Sequence, residues 1–142
     1  MSYSIDQLSV GQAASFSKTV TESDIYLFAG VTGDVNPAHI NEAYASKTFF
    51  KGRIAHGMLS ASFISAVLGM QLPGPGTIYL EQHLRFLAPV RPGDTVTAKV
   101  EVTELNPAKN IALLHTICTN QCGTQVVDGL AKVKPPLSGK ES

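Results

Sequence analysis

Between Gly57 and Met70 the chain carries Met58, Leu59, Ala61, Phe63, Ile64, Ala66, Val67 and Leu68, apolar residues that cover nearly every side of a helix, interrupted only by Ser60, Ser62 and Ser65. A helix that is apolar all round has no face to give to water, so the rest of the fold must be built to bury it. Leu72-Pro73-Gly74-Pro75-Gly76 is a hard stop, and beyond it the hydrophobic period falls from 3.6 to 2 for the remainder of the chain.

Four strands are expected there. The clearest spans residues 94–103, with Val96, Ala98, Val100 and Val102 on one face and Thr95, Thr97, Lys99, Glu101 and Thr103 on the other, the pattern of an antiparallel sheet that is wet on one side. Ile111–Thr119 and Gln125–Lys134 repeat it more loosely, the second presenting Val127, Gly129, Ala131 and Val133. In residues 77–88 the apolar set Ile78, Leu80, Leu84, Phe86 and Ala88 is interrupted by Gln82, an amide in register with the apolar face that must find buried partners. With an early strand at residues 14–20, the chain reads as α+β: helices first, then a meander of strands whose curved antiparallel sheet wraps the helix at 57–70.

At 142 residues the chain suits one domain, residues 1–134, followed by a tail at 135–142, Pro135-Pro136-Leu137-Ser138-Gly139-Lys140-Glu141-Ser142, composed like a flexible end. Acidic and basic residues balance at 11 each and make up only 15% of the chain, which excludes a nucleic-acid-binding face and an acidic disordered tail. So little charge beside 44% apolar residues favours a subunit interface or a greasy pocket, and hence an oligomer. The start, Met1-Ser2-Tyr3-Ser4-Ile5-Asp6, lacks the basic and apolar regions of a signal peptide, and no apolar stretch approaches the roughly 20 residues that span a bilayer; a soluble cytoplasmic protein with no membrane partner is expected. Cys118 and Cys122 are expected to be free thiols, and with His115 they do not complete a zinc site, so no metal is expected.

Thr21-Glu22-Ser23-Asp24 is a capping-type start, followed by Ile25, Phe28 and Ala29 at helical spacing until Gly30 and Gly33. Pro37 suits the first turn of a second short helix through Asn41, Tyr44 and Ala45, which Phe49-Phe50-Lys51-Gly52 breaks. Between the two lies Gly33-Asp34-Val35-Asn36-Pro37-Ala38-His39. A carboxylate and an imidazole converging on one point can hold a water, take its proton and deliver another. The alternative is that Asp34 caps the Pro37 helix and His39 is an exposed bystander, although Asn36 can cap that helix itself and so free Asp34. In His56-Gly57-Met58, at the start of the apolar helix, the Gly57 N–H suits an oxyanion donor, the alternative being a tight turn. Gly74-Pro75-Gly76 lacks the rest of a dinucleotide fingerprint, and neither a phosphate-loop lysine nor a serine-hydrolase elbow is present. His83 and His115 fall on strands as solvated or satisfied histidines.

Phe28-Ala29-Gly30-Val31-Thr32-Gly33-Asp34-Val35-Asn36-Pro37-Ala38-His39 resembles the hydratase 2 motif of the MaoC-like (R)-specific enoyl-CoA hydratases. Arg53-Ile54-Ala55-His56-Gly57-Met58-Leu59, Leu72-Pro73-Gly74-Pro75-Gly76-Thr77-Ile78-Tyr79-Leu80 and Arg85-Phe86-Leu87-Ala88-Pro89-Val90 with Gly93-Asp94 are similar to the same family in order and spacing. The resemblance covers most of residues 8–134 and is nearest to short single-domain members that supply polyhydroxyalkanoate precursors. It implies a hot-dog fold, a homodimer whose sheets join edge to edge, and no cofactor, CoA being part of the substrate. It implies Asp34 and His39 as the catalytic pair, the Gly57 N–H as oxyanion donor, and Asn36, His56, Ser62 and Gln82 as residues that bind substrate or support those that do. Ala38 stands where many relatives carry a bulkier aliphatic residue, which is expected to alter packing and not chemistry. Ser60, Phe63, Ser65 and Met70 are each candidates to close the acyl pocket. The alternatives on the same fold are a dehydratase acting on acyl-carrier protein, a thioesterase, or a non-catalytic acyl-CoA-binding module.

Overall fold

The computed structural model describes residues 1–137. After a 3-10 turn at Ile5–Gln7 come strand β1 (Ala13–Thr19), helices α1 (Glu22–Thr32), α2 (Pro37–Ile40), α3 (Glu42–Ala45) and α4 (Gly57–Met70), then strands β2 (Ile78–Phe86), β3 (Thr95–Asn106), β4 (Ile111–Thr119) and β5 (Gln125–Lys134). No helix among the described residues is long and apolar enough to cross a membrane.

Helix α1 begins at a capping box: the Asp24 N–H donates to Thr21 Oγ1 and the Thr21 N–H donates to the Asp24 carboxylate. Lys18, at the end of β1, donates to the same carboxylate at 2.5 Å, and with the cap bonds holds Asp24 below the ordinary carboxylate range. The helix ends at Gly33, whose φ of 81° lies in the left-handed region that glycine adopts without a Cβ penalty. The single helix expected from Pro37 to Ala45 is instead two. Asn41 takes extended backbone (φ −128°, ψ 101°), closing α2, and its Oδ1 accepts from the Tyr44 N–H at 3.1 Å to open α3.

The five strands form one antiparallel sheet in the order β1-β3-β4-β5-β2. Only β3, β4 and β5 form the expected meander; β2 follows α4 in sequence yet pairs with the last strand, at the sheet edge opposite β1. Helix α4 packs against β3, β1, β4 and β5. Its Ile64 and Val67 and the inward β3 residues Val96, Ala98, Val100 and Val102 are all fully buried. Burying side chains such as Ile64 and Val67 contributes about 1.5–3 kcal/mol each.

The helix is not enclosed on every side. Met58, Ser62 and Ser65, spaced four and three residues apart, form a stripe that stays exposed, as does Met70, because one sheet covers only one side of a helix. The apolar set expected along β2 is also out of phase. A bulge between Tyr79 and Glu81 leaves Leu80 without a partner in the ladder, so Tyr79 faces Val133 before it and Gln82, Leu84 and Phe86 face Ala131, Gly129 and Val127 after it. Ile78 and Leu80 are exposed.

The inward Gln82 amide is satisfied: Nε2 donates to the His83 carbonyl at 2.7 Å and to Thr116 Oγ1 at 2.9 Å, and Oε1 accepts from the Tyr79 hydroxyl. Gly129 makes room for it, since a Cβ there would lie 1.9 Å from the His83 carbonyl oxygen and 2.8 Å from Gln82 Nε2. Both cysteines are free, Cys118 buried and Cys122 exposed. Pro135 and Pro136, expected to begin a flexible tail, are buried, and Asn110 Nδ2 donates to the Pro135 carbonyl at 2.9 Å. The rest of that tail, residues 138–142, lies outside the described residues.

Candidate active site

The turn after α1 is built from short polar side chains that serve the backbone. The Asp34 N–H donates to Thr32 Oγ1 at 3.1 Å, the Asn36 N–H donates to Asp34 Oδ1 at 3.2 Å, and the Ala38 N–H donates to Asn36 Oδ1 at 3.0 Å. Asn36 therefore caps α2, with Pro37 in its first turn, and the Asp34 carboxylate is committed to one backbone donor through one oxygen. His39 follows within α2 and is partly buried.

Its ring is held by the segment that leads into α4. His39 Nδ1 lies 2.7 Å from the Ile54 carbonyl oxygen, and because a carbonyl only accepts, Nδ1 carries the proton and donates; in the neutral ring Nε2 is left as a base. The Ile54 N–H returns a bond to the Ala38 carbonyl at 3.2 Å, and the Ala55 N–H donates to the Val90 carbonyl at 2.7 Å. Arg53 reaches Glu22 with both terminal nitrogens, at 2.8 and 2.5 Å, and Arg91 donates to the carbonyls of Phe50 and Gly52. The strand-poor segment before α4 is thus tied to α1 on one side and to the β2–β3 connection on the other. The Arg53 pair holds Glu22 below, and Arg53 above, its ordinary range.

His56 occupies the N-cap position of α4, without a side-chain capping bond, and is only 2% exposed. Its Nε2–H donates to the Asp34 main-chain carbonyl at 2.8 Å, and its ring stacks on that of His39 on one side and tilts against Phe28, centroids 5.0 Å apart, on the other. Asp34, His39 and His56 offer donor atoms that all lie within 4.8 Å of one another, the one such cluster among the described residues. A carboxylate and two imidazoles could hold a divalent ion. However, one nitrogen of each ring already serves a carbonyl oxygen, and what remains is equally the constellation that positions a water.

The cluster opens onto a cavity of about 510 Å³ walled by Phe49, Phe50, Met58, Phe86, Val126 and Val127 among others, with Gly57 and Ser60 on its α4 side. Gly57 is the first residue of α4, where the N–H groups have no carbonyl one turn back to bond, and the positive end of the helix dipole lies with them. The wall comes close: a Cβ on Gly57 would lie 2.6 Å from Phe86 Cδ1.

The structure brings together Asp34, His39, His56 and Gly57 as cavity-lining residues. Asn36 supports them as the α2 cap and does not line the cavity. Ser62 and Gln82 stand elsewhere. Ser62 is exposed, and its hydroxyl donates to the Met58 carbonyl at 2.6 Å along the open stripe of α4. Gln82 lies inside the sheet among Tyr79, His83 and Thr116. Sequence reasoning did not pick out Phe49, Phe50, Phe86, Val126 and Val127 as walls; the one local signal is that Val126 and Val127 are adjacent and both buried, which breaks the period of two.

A curved antiparallel sheet laid over one long helix, with an acid/base cluster and an apolar cavity at that helix's N-terminus, defines a protein of the hot-dog fold with an apolar pocket. The MaoC like domain matches residues 7–120, and the chain belongs to this family. It is 59% identical to an (R)-specific enoyl-CoA hydratase of Rhodospirillum rubrum over 94% of this chain and 92% of that protein. Among solved structures it is similar to an R-hydratase of Pseudomonas aeruginosa in its unliganded form, with a TM-score of 0.89, 50% identity, and coverage of 94% of this chain and 85% of that one. It is equally similar to the (R)-hydratase of Aeromonas caviae involved in PHA biosynthesis, with a TM-score of 0.88, 49% identity, and coverage of 91% and 98%.

Proposed function

We infer that the protein is an (R)-specific enoyl-CoA hydratase, a hydro-lyase that adds water reversibly to trans-2-enoyl-CoA. The observation that carries this reading is the convergence of Asp34 and His39 beside the α4 N-terminus at the mouth of an apolar cavity, in a chain so similar to proteins named for that reaction.

The chemistry follows from the thioester. Its carbonyl oxygen is placed on the Gly57 N–H, and the conjugated double bond then lies beside Asp34 and His39. The pair holds a water and removes one of its protons as the water oxygen bonds to C3. The C2=C3 π electrons move toward the carbonyl, and the helix N-terminus stabilises the charge that builds on that oxygen. A proton returned from the pair bonds to C2 as the carbonyl re-forms. Both additions come from the face that the pair occupies, a syn addition, and the reading assigns the (R)-3-hydroxyacyl thioester as the product. Only protons and a polarised carbonyl are handled, so the reading needs no metal and no cofactor beyond the CoA that the substrate carries, and it includes a cytoplasmic location.

The same reading includes a homodimer joined through β2. This strand lies at the sheet edge with one side of its backbone free for a ladder, and Ile78, Leu80, Phe86 and Leu87 are exposed along and just beyond it. A long apolar edge left bare templates pairing with another strand.

Hydration of crotonyl-CoA, followed by chiral analysis of the product, tests the assignment. The expected product is (R)-3-hydroxybutyryl-CoA. Release of free CoA thiol would point to thioester hydrolysis instead, and binding without turnover to a non-catalytic module.

A further inference from the structure

Four polar side chains line the cavity; three of them, Asp34, His39 and His56, form the acid/base cluster, and the fourth is Ser60. Ser60 is three residues beyond Gly57 and four beyond His56, on the helix face that those two share, about 4.5 Å further along the α4 axis. It is 1% exposed, and its hydroxyl has no hydrogen-bond partner among the described residues. Its main-chain carbonyl accepts the Cys118 thiol at 3.5 Å, so the side chain is what this position leaves unsatisfied. The side chains that line the cavity outside the cluster, Met58, Phe86, Val126 and Val127 among them, are apolar and offer it no hydrogen bond. The other residues that could end the pocket do not reach it: Phe63 is buried edge-on against Phe16, centroids 5.9 Å apart, and Ser65 and Met70 are exposed.

We propose that Ser60 determines acyl-chain length in this site, its unpartnered hydroxyl discriminating against chains long enough to run past it. The proposal rests on the hydratase reading. With the thioester oxygen on the Gly57 N–H, an extended acyl chain following the helix comes level with Ser60 roughly three or four carbon–carbon bonds beyond the carbonyl carbon. A four-carbon enoyl chain, about three bonds beyond its carbonyl carbon, ends at about that level without running past it and leaves the hydroxyl free to hydrogen-bond a water. An eight-carbon chain lays methylenes against it, displacing that water and returning no hydrogen bond, so part of the gain from burying the extra methylenes is lost. This penalty falls on binding of the distal chain and leaves the reacting atoms alone.

The test is kcat/KM for trans-2-enoyl-CoAs of four, six and eight carbons, measured on the wild type, Ser60→Ala and Ser60→Cys. For each protein the eight-carbon value is divided by its own four-carbon value, so that differences in active fraction cancel. The wild-type ratio is expected to lie below one, and both variants are expected to raise it about tenfold, Cys because it keeps side-chain bulk while giving up most of the hydrogen bonding. A ratio within twofold of wild type in both variants would overturn the proposal. So would a rise in Ser60→Ala alone, which would assign the effect to space, or a wild-type ratio of one or more. No hydration at any chain length would overturn the hydratase reading and this proposal with it, whereas crotonyl-CoA hydration with an unmoved ratio would overturn the proposal alone.

Discussion

The imidazoles of His39 and His56 lie face to face, ring centroids 3.9 Å apart and planes 28° from parallel. His56 is thereby in contact with both members of the acid/base pair, through its stack on His39 and through the bond from its Nε2–H to the Asp34 carbonyl. On the proposed reading it is a positioning residue, a buried ring in contact with the groups on both sides of the reacting water.

His56→Phe keeps a ring to stack on His39 and removes the donor to Asp34. The expected outcome is a fall in kcat of roughly ten- to a hundredfold with KM little changed, since misplacing a reacting group lowers turnover without weakening the grip on CoA. Steady-state kinetics on crotonyl-CoA check this. An unchanged kcat, or a loss confined to KM, would contradict a positioning role.

Gly57 is constrained from the cavity side, where Phe86 Cδ1 occupies the space a Cβ would need. Gly57→Ala keeps the backbone N–H yet forces the ring to move, and kcat/KM is expected to drop about tenfold or more. Pairing it with Phe86→Leu, which frees that space, should restore part of the loss relative to the single variant. A double variant no better than Gly57→Ala would show that the ring is not the obstacle.

The period-two alternation in β3 and the helical pattern of α4 were legible because each residue's neighbours in the chain decide which face it takes. What escaped depended on partners far away. The bulge at Leu80 is set by pairing with β5 and shifts the phase of all β2 residues before it. The order of the sheet could not be read from a run of alternating segments, since β2 finds its partner 40 and more residues later. Ser62 matched a family position, but whether a serine on α4 faces the cavity or the open stripe depends on which side the sheet covers, and here Ser60 lies inside and Ser62 outside. The placement of Asp34, His39 and Gly57, in a turn, in a helix begun by a proline and at a helix start, was legible because caps, a proline and a glycine fix the chain locally around each of them.

The cluster of Asp34, His39 and His56 has the donor set of a metal site as well as that of an acid/base site. Prolonged dialysis against EDTA, followed by assay in metal-free buffer, is expected to leave crotonyl-CoA hydration unchanged. Activity that collapses on chelation and returns with a divalent ion would assign the three side chains to a metal.

Burial pushes the Cys118 thiol up to about 12, whereas Cys122 is exposed. A raised thiol pKa leaves the unreactive protonated form in place until the pH approaches that value, so near pH 8 Cys118 offers neither thiolate nor access. An aromatic disulfide reagent is expected to titrate one fast thiol per chain in the native protein and a second only after denaturation. Two fast thiols in the native protein would contradict the packing of β4 on α4.

The central claim is that Asp34 and His39 together activate the water. Its most direct measurement is the rate of loss of the enoyl thioester absorbance of crotonyl-CoA with Asp34→Asn and His39→Ala, each shown by circular dichroism and thermal unfolding to keep its fold. Both substitutions are expected to lower kcat by about 10²–10⁴-fold with melting temperatures close to wild type. Wild-type hydration by either folded variant would contradict the account.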